Sequence, residues 1–295
     1  MKKVFCIFLF VSIFCLSAFP QKKGPKSPNI FFVNDTLGCD ITEIANMDYL
    51  FYEYSFKKTT DSQNVKEIRP DIAVWKEAGW PELSKIYLRN PIVRMHPVVG
   101  LTLEQAQAFA KWRTKAVVIR LAYKNKYINE DEFESYNNMD LSVFAEDHPE
   151  YMANNLYFDY RIPTIEEWNL CFNYVESDLR NPKRKLGRFK KWSDKLSPYD
   201  FADTKKNEKD PLFYKKAPLN SVYSAHRKFK RFLKIYGLKG GVAEMVSDVP
   251  VAMGGSWKDN SEEFERVKMQ EFTEPNAWTG FRCVGTWKYW KSKEQ

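Results

Sequence analysis

Cysteine is scarce in this chain, and it is poorly placed for metal chemistry. Five thiols occur in 295 residues: Cys6, Cys15, Cys39, Cys171 and Cys283. They are too scattered for a C-x-x-C metal knuckle. Glycine (12) and proline (15) are too few for a fibrous or low-complexity chain. No repeat of fixed period is visible, which argues against a solenoid. No segment beyond the N-terminus is apolar for the length a bilayer span needs. A phosphate-binding G-x-x-x-x-G-K-[ST] string is absent. Ser256 stands in no G-x-S-x-G elbow and has no evident base.

What is present is a large apolar reserve. Hydrophobic residues make up 44% and aromatics 16%, enough to bury a core in one large domain or two small ones. Lys2 and Lys3 precede an apolar run from Val4 to Phe19, broken only by Ser12 and Ser17. Such a run is too short for a transmembrane helix and reads as a secretory signal over residues 1–20. Residues 21–34 read as a flexible lead-in, and residues 35–290 as one domain. Cys15 is a candidate lipidation site, although Phe14 before it is bulky. Cleavage would leave Cys39, Cys171 and Cys283, an odd number, so at least one is free or pairs between chains. Buried free thiols are the expected state.

The net charge of +8 is unevenly spread. Lys183, Arg184, Lys185, Arg188, Lys190 and Lys191 form one cluster, and Arg227, Lys228, Lys230, Arg231 and Lys234 another. Phe189, Trp192, Phe229 and Phe232 interleave them. Basic residues with aromatics can bind single-stranded nucleic acid. An exported chain instead meets acidic partners or anionic membrane and polysaccharide surfaces, so nucleic acid is not expected. The span 180–234 is charged and aperiodic and reads as a surface insertion. Lys183, Arg184, Lys190, Lys191, Trp192, Arg227, Lys228 and Arg231 are its candidate partner-binding residues.

Local signals place several elements. Ile30 to Val33 predicts a strand, Asn34 to Gly38 a turn, and Ala45 to Phe56 an amphipathic helix. Thr102 with Gln105 forms a capping box that opens a helix to about Tyr123, with Ala106, Phe109, Ala110 and Trp112 on its core side. Residues 124–157 are acidic and mixed. Thr164 with Glu167 forms a second box, opening a helix to about Val175. Gly254-Gly255-Ser256-Trp257 and Gly280 to Val284 read as tight turns between short strands.

Five stretches, in order, resemble the formylglycine-generating-enzyme (sulfatase-modifying factor) family. Asp40 to Asn46 is similar to its E-V-T-N element. His96 to Gly100 with Gln105 to Arg113 is similar to H-P-V-V-x-V-S-W-x-x-A-x-x-F-C-x-W. Arg161-Ile162-Pro163-Thr164-Ile165-Glu166-Glu167-Trp168 is similar to R-L-P-T-E-A-E-W. Tyr236 to Asp248 is similar to G-L-Y-D-M-x-G-N-V-W-E-W-x-x-D. The G-G-S-W string and Gly280-Phe281-Arg282 complete the set. The resemblance implies one loop-rich α+β domain of the C-type-lectin-like formylglycine-generating-enzyme fold.

The family's chemistry is a separate matter, since fold does not imply activity. Active members hold copper between two cysteines shortly after the G-G-S-W turn, and soft thiolates suit Cu(I). Here Asp259 and Phe264 stand at those positions. Of the family's calcium ligands only Glu244 survives, too little for a tight site. The three histidines, His96, His148 and His226, do not suggest the iron triad of another branch. The resemblance therefore implies a catalytically inactive member with no cofactor. The spacing from His96 to Arg113 looks most like the gliding-motility and type IX secretion lipoproteins of bacterial envelopes. That implies an exported scaffold at the periplasm or outer-membrane periphery, in a multi-protein complex with other envelope proteins, with peripheral membrane or lipid attachment open. The alternatives are a lectin-like binder of envelope glycans, or an oxidoreductase with relocated metal chemistry built on Cys171 and Cys283.

Overall fold

A computed structural model describes residues 29–57, 66–179, 222, 234–259 and 268–290. Within them lie two four-stranded sheets and a set of helices. The expected signal and the eight candidate partner-binding residues of the insertion lie outside the described residues.

The first sheet joins β1 (Ile30–Phe32), β2 (Gly38–Asp40), β8 (Val284–Lys288) and β3 (Tyr157–Arg161) in the order β1-β2-β8-β3. All its pairings are antiparallel. The turn between β1 and β2 is set by Asn34, whose Oδ1 accepts from the amides of Thr36 at 2.9 Å and Leu37 at 2.7 Å. Side chains alternate along β3, so Phe158 and Tyr160 enter the core while Tyr157 and Asp159 stay partly exposed. The second sheet runs β6 (Met269–Glu271), β5 (Val251–Met253), β4 (Ala243–Met245), β7 (Thr279–Gly280). Its β4–β7 pair is parallel.

Helix α4 (Leu103–Lys124) packs on β3 of the first sheet, and α1 (Asn46–Lys57) packs against α4. Between α1 and α4 lie the short α2 (Val74–Glu77) and α3 (Leu83–Ile86), where Trp75 and Tyr87 pack at 4.5 Å. In α4 the predicted capping box is present: Gln105 N donates to Thr102 Oγ1 at 3.2 Å, and Thr102 N to Gln105 Oε1 at 2.9 Å. Ala106, Phe109 and Ala110 are buried as expected, and Trp112 is half-buried. Phe109 stacks on Tyr49 of α1 at 5.6 Å and meets Phe281 edge-on at 5.4 Å. This cluster joins α1, α4 and both sheets into one core.

Three readings change. Residues 124–157 are not featureless. They form α5 (Glu130–Tyr136), α6 (Leu141–Asp147) and α7 (Pro149–Asn154) around a separate cluster containing Ile128, Phe144 and Met152. A third capping box, Asn129 with Glu132, opens α5. Helix α8 (Ile165–Leu179) continues past Val175. Gly280 is not a turn residue but part of β7, and an added Cβ there would meet the Val98 carbonyl at 2.8 Å. Close packing, not left-handed backbone, requires glycine at that point. Within the expected insertion, Val222 is buried, and its amide donates to Met95 O at 2.8 Å. At that one residue the span is packed onto the domain.

Candidate functional site

The family-like strings converge on a buried charge centre. Arg282 follows β7, and Glu244 lies in β4. Both side chains are essentially excluded from water, at 0% and 1% exposure. Arg282 Nε donates to Glu244 Oε2 at 2.6 Å and Nη2 to Oε1 at 2.5 Å. This is a bidentate, charge-assisted pair. Trp168 of α8 donates Nε1–H to Glu244 Oε2 at 2.7 Å. The remaining guanidinium donors reach the carbonyls of Asp40 at 3.0 Å and Tyr236 at 2.7 Å. Helix α8 is set by the predicted box, with Glu167 N donating to Thr164 Oγ1 at 3.2 Å and Thr164 N to Glu167 Oε2 at 3.1 Å. Arg161 grips the Glu167 carboxylate as well. The capped helix start therefore orients Trp168 onto Glu244.

Two further charges flank the centre. Glu43 is buried, and burial pushes its carboxyl up to about 7, opposed by Arg282 and assisted by Glu244. Its carboxylate rests against Gly237, which has φ +74°, and a Cβ there would sit 2.2 Å from Glu43 Oε1. On the other side, Asp40 Oδ2 accepts from Arg113 Nη1 at 2.7 Å and from the Cys283 amide at 2.8 Å. Arg113 also lies 4.1 Å from the Tyr160 ring centre. Asp40 Oδ1 is buried without a hydrogen-bond partner.

This geometry redefines Glu244. Both its oxygens are taken by Arg282 and Trp168, and a guanidinium lies where a dication would be repelled. The carboxylate does not fit a calcium site. Among the described residues no group of three or more His, Cys, Asp or Glu side chains is placed to hold a metal ion.

The turn after β5 holds the positions where the family resemblance implies copper. Gly254 has φ +96° and lies against the Leu238 carbonyl, so only glycine is unstrained there. Ser256 is fully buried. Asp259 Oδ2 accepts from Ser256 N at 2.7 Å and from Ser256 Oγ at 3.1 Å, while Oδ1 accepts from Lys268 at 2.5 Å. Trp257 stacks on Trp75 at 5.9 Å and donates Nε1–H to Ala277 O at 2.9 Å. Asp259 is thus an engaged carboxylate rather than a thiolate, and it does not fit Cu(I). Phe264 lies outside the described residues.

The thiols sort differently from the pairing considered for relocated metal chemistry. Cys39, Cys171 and Cys283 are all buried and free. Cys39 and Cys171 share one core cluster, and the Cys39 thiol donates to Asp40 O at 3.5 Å. Cys283 instead lies beside Asp40 and Arg113, and burial raises both its pKa and that of Cys39. Cys171 and Cys283 belong to different core clusters. His96 is buried, with its pKa lowered by burial to about 4, while His226 lies outside the described residues. The charge centre itself was missed in the sequence, where Arg282 and Trp168 served only as fold markers and Glu244 as a residual calcium ligand. A charged residue in each of the apolar strings Ala-Glu-Met and Phe-Arg-Cys was the available signal for a buried pair.

Two loop-joined sheets, stacked aromatics and a buried Glu–Arg–Trp centre define an α+β domain of the formylglycine-generating-enzyme type. The chain belongs to the family of the sulfatase-modifying factor enzyme 1-like domain, whose family model matches residues 38–287. Comparison with curated proteins and with solved structures finds no match.

Proposed function

We propose that this chain is a catalytically inactive member of the family, retained as a protein-binding scaffold of the bacterial envelope. The observation that carries the proposal is Asp259, locked by Ser256 and Lys268 at a position where the family's chemistry calls for a thiolate. A carboxylate held by an ammonium cannot form the soft thiolate pair that Cu(I) requires. The apolar stretch after Lys2 and Lys3 favours export. The likeness to gliding-motility and type IX secretion lipoproteins favours a place in a multi-protein envelope assembly. No helix among the described residues is long and apolar enough to cross a membrane, so attachment would be peripheral or through lipid at Cys15.

The decisive experiment incubates the purified protein with copper and a Cys-x-Pro-x-Arg peptide. The expected outcome is no loss of substrate thiol by mass spectrometry. Copper-dependent turnover would overturn the proposal. Recovery of defined envelope proteins on tagged chain, weakened by added salt, is the positive counterpart.

A further inference from the structure

A concave site lies beside the charge centre, between α1, α4 and α5, and shares Asp40 and Glu43 with its flank. It is a cavity of about 520 Å³, within the size range of small-molecule sites. Aromatic side chains form part of its wall, among them Phe51 from α1, Trp112 from α4 and Phe133 from α5. Phe51 is 57% exposed at the rim, where its ring is open to a bound molecule. Two carboxylates, Asp40 and Asp48, line the same space. Their bonding differs. Asp40 has a buried Oδ1 with no hydrogen-bond donor. Asp48 accepts the Ala45 amide at 3.1 Å through Oδ2, and burial raises its pKa. Arg113 is committed to Asp40 and the Tyr160 ring. Arg120 sits at the exposed edge, and Glu134 opposite it carries the other sign. Glu43 also contributes to the wall, but its carboxylate is turned toward Gly237.

Aromatic rings beside a carboxylate with an unpartnered oxygen, and beside a second, partly exposed carboxylate, suit one chemistry. A cation with several N–H donors would satisfy the acidic end, and an apolar stem would cover the rings. We propose that this cavity binds a primary ammonium group carried on an apolar stem. A free alkylamine and a lysine side chain of a partner polypeptide both present that group. The proposal does not depend on whether the family's oxidation chemistry survives.

Calorimetric titration of the full chain tests it, with n-hexylamine, hexanoate, hexanol and an Nα-acetyl-lysine methylamide as probes. At least one amine should bind, and hexanoate and hexanol should bind at least about tenfold more weakly. Tighter binding of hexylamine points to a free amine, and tighter binding of the lysine derivative to a polypeptide. Asp48→Asn should weaken the amine about tenfold or more while keeping an acceptor for Ala45. Phe51→Ala, at the exposed rim, should weaken it severalfold with an unchanged melting temperature. Hexanol binding as well as hexylamine, no amine binding at about 10 mM, or unchanged affinity in both variants would overturn the site.

Discussion

The Glu244–Arg282 centre and the turn at Asp259 both lie in strings that mark the same family, yet they do different work. At the centre, one guanidinium and one carboxylate join β2, β4, α8 and the segments around Tyr236 and Arg282. At the turn, Asp259 bonds Ser256, three residues away, and Lys268, nine away. The first set of contacts is long-range and dry, and the second is local and partly wet. The comparison teaches that this chain matches the family where side chains tie distant segments together. At Asp259 the contacts close only a local turn.

The sharpest way to break that comparison is to remove one half of the buried pair. Arg282→Met leaves the Glu244 carboxylate buried without its counter-charge. Such a loss costs about 3–5 kcal/mol. Urea denaturation should show it, and the variant is expected to be largely unfolded at 37 °C. Arg282→Met with Glu244→Leu should recover much of the loss, because the uncompensated charge is gone. A single-variant loss below about 1 kcal/mol would show that the pair is not the tie argued here.

The next effect separates two buried titrating groups in paired segments, since Ala45 bridges Pro97. Glu43 has a folded pKa of about 7, above its ordinary 4.5. The folded state therefore holds its proton more tightly, and its contribution is lost as pH rises from 4.5 through 7. His96 has a folded pKa of about 4, below its ordinary 6.5. Its contribution has the opposite sign and is lost as pH falls from 6.5 through 4. Each spans roughly 3 kcal/mol by linkage, and between pH 4.5 and 6.5 the two slopes cancel. The stability of Glu43→Gln relative to wild type should therefore rise with pH, and that of His96→Gln should fall. Urea midpoints at half-unit pH steps measure both. Parallel curves for wild type and Glu43→Gln would mean that Glu43 titrates normally.

What the sequence made legible follows the range of the interactions. The boxes at Thr102 and Thr164 are read across three residues, and both are present. The Asn129 box is equally local, but it opens a helix of 7 residues, too short for periodicity to emerge from an acidic background. The order of the family-like strings gave the fold class, because each string marks a buried junction. The centre was hidden because Arg282 and Glu244 are 38 residues apart and nothing local pairs them. That Cys39 and Cys171 share a core cluster depends on how β2 meets α8, which no spacing encodes. Gly280 was misread because a glycine needed for close approach looks the same in sequence as one needed for a turn.

The smallest effect bears most directly on the proposed inactivity. Asp259→Ala removes the acceptor of the Ser256 amide and the partner of Lys268. The Lys268 side chain is 32% exposed, so water takes over part of the lost bonding. The expected cost is about 1 kcal/mol, far below that of Arg282→Met. A turn-closing residue should also leave copper behaviour unchanged, with wild type and variant equally inert toward a substrate thiol. Thermal melts and the peptide assay, run side by side, separate the outcomes. If Asp259→Ala melted as low as Arg282→Met, the turn would be as much a tie as the charge centre, and the contrast between the two regions would fail. If wild type consumed the thiol and the variant did not, Asp259 would be part of a working site, and the inactivity proposed here would fall with it.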